Sequence, residues 1–281
     1  MQILNTSTLA ALEEMLQNMA RPAPHDYVPI YFLGGLSTQG QGQIIGHLNP
    51  EFANYLHASL TQEPIPFLHL DYDRLTIDSA KPIELSASLA ILAKRMRVGG
   101  FIPGWRNEEF AWIDLNGHEY FRLERAAFRT FGFRSMATHI NGFTSKGTLW
   151  LGRRSQNKAT DPGLLDNLAA GGIAADETPS VCARRELWEE AGVPPQVAQN
   201  LNPIGRMHMR RISHERGFHD EQLYVYDLEL ADHFIPTNHD GEVSGFIEIT
   251  LHEAAARILA GEFTQDAAFV TADFILRNSK N

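Results

Sequence analysis

The stretch Gly171 to Val193, GGIAADETPSVCARRELWEEAGV, decides how this chain is read. It runs from a glycine-bearing turn through Pro179 and Ser180, which suit a helix start, to Gly192 followed by Pro194 and Pro195, which suit its end. At about 100° per residue, Glu186, Glu189 and Glu190 fall within roughly a quadrant of that helix. Three like charges on one face destabilise an isolated helix, and a hard divalent cation with oxygen ligands, such as Mg2+ or Mn2+, relieves the repulsion. Ala183, Leu187 and Ala191 lie on the adjoining side, an apolar strip suited to packing on a sheet.

Gly171, Glu177, Arg185, Glu186, Leu187, Glu189, Glu190, Gly192 and Val193 also fill every fixed position of the pattern G-x5-E-x7-R-E-U-x-E-E-x-G-U, with U a bulky apolar residue. The stretch resembles a Nudix box. An acidic run alone reads better as an ordinary solvated helix; Gly171 and Glu177 at their fixed upstream spacing reverse that reading. The resemblance implies metal-assisted hydrolysis of a diphosphate bond, in which water attacks phosphorus and one carboxylate takes its proton. Glu186 and Glu190 are then the catalytic candidates, with Glu186 chosen as the base. Glu186, Glu189 and Glu190 are the metal ligands, joined by the carbonyl of Ala170. By the same resemblance Arg185 pairs with Glu177 and supports the loop that starts at Gly171. A further acidic ligand is expected from a loop well after the box, where Asp240-Gly241-Glu242-Val243 offers Glu242, with Glu221 as runner-up. DGEV reads also as a plain turn with an exposed acid.

At 281 residues and 43% hydrophobic content, the chain is long enough for one large domain or two ordinary ones with a well-buried core. The net charge of -10 argues against general nucleic-acid binding, so an anionic substrate has to be met by a bound cation and a few particular basic residues. One cysteine, Cys182, excludes an internal disulfide; it reads as a reactive thiol or, better, as a small buried helix residue. No apolar run is long enough for a membrane span and no basic, apolar leader opens the sequence, so a cytoplasmic protein is expected.

The first 135 residues read as a smaller α/β unit, with helices over Thr8 to Met19 and Ile83 to Met96 and strands over Ile30 to Leu33 and Phe67 to Leu70. Phe121 to Phe131 reads as another helix stopped by Gly132, which places the boundary near Ser135. From 136 to 281, strands over Ala137 to Phe143 and Thr148 to Arg153 lead to the box. Further strands over Gly205 to Ile212, Gln222 to Leu230 and Gly245 to Thr250 follow, then helices over Leu251 to Ala260 and Ala267 to Arg277. This order resembles the Nudix fold, a mixed sheet between helices.

HINGF at His139, RRSQNKATDPGLLDNLAAGG at Arg153, YDLEL at Tyr226 and the DGEV turn resemble the Nudix proteins that carry an extra amino-terminal domain associated with thiamin pyrophosphokinase, a module that occurs fused to that kinase in fungi. GWRNEEF at Gly104 and LERAAFRTFG at Leu123 extend the likeness into the first unit. The resemblance implies hydrolysis of thiamin diphosphate or its oxidised oxo and oxy analogues to monophosphates. Arg153, Arg154 and Lys158 can meet phosphate oxygens or form a solvated basic loop. Asn167, with Asp166, His139 and Asn141, can orient a ligand or fix loops. Trp105 and Arg106 can contact a substrate ring from the first unit, although core packing is the better reading of Trp105. Other nucleoside-linked diphosphates such as ADP-ribose or NADH, and a ligand-sensing module without catalysis, are the competing functions. The RRSQNKATDPG segment is also similar to Nudix-fold isopentenyl diphosphate isomerases, which use a catalytic cysteine outside the box that this chain lacks. Nudix relatives often form homodimers.

Overall fold

The computed structural model describes residues 4–34, 42–79, 81–114, 116–158, 160–213 and 217–279. Its first unit begins with helix α1 (Thr6–Gln17), β1 (Val28–Phe32), β2 (Gln43–Leu48), α2 (Pro50–Gln62), β3 (Leu68–Leu70), β4 (Leu75–Ile77) and α3 (Pro82–Val98). The strands form a four-stranded sheet in the order β2-β1-β4-β3, in which only the β1–β4 pairing is parallel. A hairpin of β5 (Glu109–Ile113) and β6 (Glu119–Glu124) follows, and then the short helix α4 (Arg125–Thr130). Aromatic side chains dominate the core of this unit, with Phe32, Phe52, Phe110, Trp112, Phe121, Phe128, Phe131 and Phe133 all buried in one cluster.

The helix expected over Phe121 to Phe131 is half strand. Phe121 and Leu123 are buried while Arg122 between them is half-buried, a period of two that fits the pleat against Phe110 and Trp112 of β5. Helix starts only at Arg125, where the Glu124 carboxylate caps it by accepting the Ala126 N–H at 3.4 Å. Gly132 does stop it, at φ 61°.

The second unit holds β7 (Ser135–Thr144), β8 (Thr148–Arg154), β9 (Leu165–Asp166), β10 (Ala169–Gly172), α5 (Pro179–Ala191), α6 (Pro195–Ala198), β11 (Asn202–Ser213), β12 (Gly217–Leu230), β13 (Val243–Thr250), α7 (Leu251–Leu259) and α8 (Gln265–Asn278). Its seven-stranded sheet has the order β11-β12-β7-β8-β13, with β10 paired to β7 and β9 to β8, and β12 runs parallel to β7. The sheet is mixed and lies between helices. Ile140 of β7 packs toward α5 with Ala183, Leu187 and Ala191, whereas Ala137 packs toward Phe269 and Val270 of α8. Alternation along β7 therefore sends odd and even positions to opposite layers.

Helix α1 lies before the expected boundary yet packs with α7 and α8 of the second unit. Leu12 is fully buried in a cluster with Leu149, Ile249, Ala272 and Ile275. Among the described residues no helix is long and apolar enough to cross a membrane.

Candidate active site

The box helix is built as its sequence dictates. Thr178 caps α5 by accepting the Val181 N–H, Pro179 opens the first turn, and Gly192 ends it at φ 64° in the left-handed region. A side chain at Gly192 would also stand 2.8 Å from the Thr237 carbonyl oxygen. With Ala183, Leu187 and Ala191 seated on the sheet, Glu186 and Glu190 are carried to its inner edge and are 8% and 7% exposed, while Glu189 stays near the rim. Gly171 makes this approach possible, because a Cβ there would lie 1.8 Å from Glu186 Oε1.

Arg185 organises the carboxylates. Its Nε and Nη2 donate to the two oxygens of Glu177 at 2.6 and 2.9 Å, and its Nη1 reaches Glu186 at 2.7 Å and Glu189 at 3.0 Å. The two-pronged pair holds the Glu177 carboxyl below its usual range and ties the loop after Gly171 to the helix. Glu190 has no such cation. Its Oε2 accepts the Ala170 N–H at 2.9 Å, and burial next to Glu186 pushes its carboxyl well above the ordinary value. Burial lifts Glu186 to about 7 despite Arg185, with Glu189 and Glu242 adding like charge.

Glu190, Asp240 and Glu242 bring carboxylate oxygens within 4.8 Å of one another. Asp240 is the member that sequence reading passed over. The turn Asn238–Glu242 is knotted by Asp240 and Asn238 accepting the N–H groups of Glu242 and Gly241, and Gly241 sits at φ 82°. Two acids flanking a turn glycine were the available signal. Glu221, the runner-up, lines the same cleft but is not one of this group: it is locked to Arg129 and Ser135, both at 2.9 Å, and although burial works against it, Arg129, with His219, Arg211 and Ser135, brings it to about 2. The oxygen-only donor set and the buried, uncompensated Glu190 suit a hard divalent cation.

Glu177, Glu186, Glu189, Glu221, Asp240 and Glu242 line one cleft of ≈ 490 Å³ that both units share, and Glu190 is buried behind its wall. Lys158 enters it and forms an ion pair with Glu242. Arg154 lines it too, but its guanidinium is engaged by Asp166 at 2.8 Å and by the carbonyls of Thr160 and Asp161. Arg153 donates to the Gly163 carbonyl at 2.8 Å and is not among the cleft-lining residues. Asn167 also lies outside the lining. It is 2% exposed and bonds His139, Asn141 and Thr271, with Asn141 passing on to Asp227 and Arg277 under α8. Trp105 packs against the aromatic core, under the Arg97 guanidinium at 4.7 Å, whereas Arg106 faces the cleft. Cys182 is fully buried between Thr138 and the Gly172 carbonyl; burial pushes its thiol up to about 12, which suits a packed residue and not a nucleophile.

Residues 134–272 match the model of the NUDIX domain. The uncharacterised Nudix hydrolase YfcD of Shigella flexneri is 31% identical over 175 residues, covering 60% of this chain and 89% of YfcD. The chain belongs to the Nudix hydrolase family. Nudix hydrolases 20 and 24, chloroplastic, of Arabidopsis thaliana are 32% and 34% identical over 247 and 244 residues, 84% of this chain and 66% of each relative. These alignments are longer than the stretch 134–272 and so take in part of the first unit as well. The chain thus spans about two thirds of the length of these relatives. The crystal structure of DR0079 from Deinococcus radiodurans superposes with a TM-score of 0.47 at 23% identity, covering 62% of this chain and all of that one.

The raised carboxyls set the pH dependence of the cation-free protein. Glu186 and Glu190 bind protons in the folded state at pH values where the unfolded chain has lost them, so their contribution to stability falls as pH rises from the ordinary carboxylate range through about 7. His47, held below its usual value by burial, works in the opposite sense only up to about pH 6.5. Between pH 7 and 8.5 the melting temperature in EDTA should therefore drop, and Mn2+ should raise it more at 8.5 than at 7. A Mn2+ increment independent of pH would refute the placing of Glu190 at the cation site and of Glu186 beside it.

Proposed function

We propose that the protein is a divalent-cation-dependent diphosphohydrolase that converts thiamin diphosphate, or its oxo and oxy analogues, to the monophosphate. The observation that carries the hydrolase reading is the convergence of Glu190, Asp240 and Glu242 at the wall of a cleft that Glu186 and several cationic side chains also line. Thiamin as the organic part is supported by the likeness of the segments around Trp105, Arg125, His139 and Arg153 to the thiamin-associated group.

Glu190, Asp240 and Glu242 would hold Mg2+ or Mn2+, which supplies positive charge against the diphosphate and lowers the pKa of a water. Arg185 keeps Glu186 in place from one side, and Gly171 lets it approach the strand edge from the other. A carboxyl lifted to about 7 by burial is matched to accepting a proton from the attacking water near neutrality. Lys158, which pairs with Glu242 and lines the cleft, can also donate to a phosphate oxygen. The reducing cytoplasm suits a chain whose one cysteine is buried and unpaired.

A panel of oxythiamin diphosphate, thiamin diphosphate, ADP-ribose, NADH and 8-oxo-dGTP, assayed by chromatography for the monophosphate product of each with Mg2+ and with EDTA, tests this directly. The expected result is Mg2+-dependent cleavage that is fastest for the two thiamin compounds. Cleavage of none of the five would reject the hydrolase, and preference for a nucleotide would reject thiamin.

A further inference from the structure

Among the described residues, each arginine and lysine side chain that lines the cleft has a carboxylate partner except Arg106. This arginine is exposed, but its backbone is fixed. The Arg106 N–H donates to Glu124 Oε1 at 3.0 Å, the same carboxylate that caps α4. On one side Trp105 is pinned by Arg97 and by its own Nε1 donating to Asn107 at 3.0 Å; on the other, Asn107 turns the chain at φ 59°. Trp105 goes to the core and Arg106 to the cleft.

Arg125 lines the same cleft. Its guanidinium is held by Glu108 at 2.9 Å, lies 5.3 Å from the Phe110 ring centroid, and comes within 3.5 Å of where a Cβ on Gly172 would be. The hairpin before it is bonded to the box loop, by Ala175 N–H donating to the Glu109 carbonyl at 2.9 Å and by the Arg122 guanidinium donating to the Asp176 carboxylate at 2.7 Å. The first unit is thereby stitched to the start of the box.

We infer that Arg106 and Arg125, which lie outside the matched stretch 134–272, clamp the terminal phosphoryl group of the substrate, so that the enzyme takes a diphosphate with a free end and not one that joins two organic groups. The inference rests on the diphosphohydrolase reading above and narrows its substrate class. A terminal phosphoryl group carries close to two negative charges and three unesterified oxygens, whereas each phosphorus of a bridging diphosphate carries one charge and two such oxygens. The carboxylate side of the cleft, with its cation, can balance the inner phosphate. The extra charge and oxygen at the free end need donors on the facing wall, and a guanidinium fork supplies two parallel hydrogen bonds to such a group. Arg106 is free to form them without breaking an existing ion pair.

The test compares thiamin diphosphate, which has a free end, with ADP-ribose, which does not, in the full chain and in Arg106→Gln and Arg125→Gln. The wild-type protein should favour thiamin diphosphate. Arg106→Gln should lower its kcat/KM about tenfold, mostly through KM, and the double variant about a hundredfold, with ADP-ribose changing less than about threefold. Calorimetric titration with imidodiphosphate in Mn2+ gives a readout that needs no turnover: Arg106→Gln should weaken binding about tenfold while Mn2+ affinity and melting temperature stay at wild-type values. Equal losses on both substrates, or unchanged imidodiphosphate affinity, would overturn the clamp. If neither substrate is cleaved while imidodiphosphate still binds through Arg106, the clamp stands and the hydrolase reading falls.

Discussion

Glu190→Gln is expected to lower turnover on the order of a thousandfold, equivalent to about 4 kcal/mol of transition-state stabilisation. The reason is specific to where this carboxylate sits. It is 7% exposed, it accepts one backbone N–H from Ala170, and it shares its oxygens with Asp240 and Glu242 at the candidate cation site. Burial already drives it toward its neutral form, and an amide has the shape and charge of that form. The substitution should therefore leave the cation-free fold as stable as the wild type or more so. What it removes is an anionic ligand, so the rise in melting temperature on adding Mn2+ should shrink together with activity. A variant that is folded and turns over normally would dismiss this centre.

Gly171→Ala should lower turnover about a hundredfold or more, because small displacements of a reacting group carry penalties of that size. The new methyl carbon would overlap the Glu186 carboxylate, at 1.8 Å from Oε1 and 2.1 Å from Cδ. Glu186 has to swing away from the strand edge and give up the Arg185 Nη1 bond at 2.7 Å. Arg185 keeps its two bonds to Glu177 and its contact with Glu189, so the loop and helix stay joined and stability should change by about 1 kcal/mol. Gly245→Ala is the matched control, since a Cβ there meets nothing within 4 Å. Full activity in Gly171→Ala would mean that Glu186 does not need its position against β10.

The box was legible because its constraints are local. Capping by Thr178, the proline at the first turn, the left-handed Gly192 and the stacking of Glu186 and Glu190 on one face all follow from spacing within a single helix. Glu119–Glu124 was not, because Leu123 to Ala127 is composed of good helix formers and the strand is fixed by its pairing with β5. Asn167 illustrates a different limit. A polar residue near a box looks the same in sequence whether it faces a cleft or, as here, a buried network with His139, Asn141 and Thr271; only the register of β7 and the placement of α8 separate the two. The roles of Arg125 and Arg129 depend on packing between segments far apart in sequence, which no motif records.

The docking of α1 on α7 and α8 also bears on how the chain reaches this state. During synthesis α1 emerges long before the helices that form its seat, and the fully buried Leu12 must stay without its native neighbours while every strand of both sheets is made. Contacts of such sequence separation slow folding and prolong the exposure of apolar surface. The molecule is thus latched late by a helix made early, and chaperone demand should persist until α7 and α8 have emerged from the ribosome.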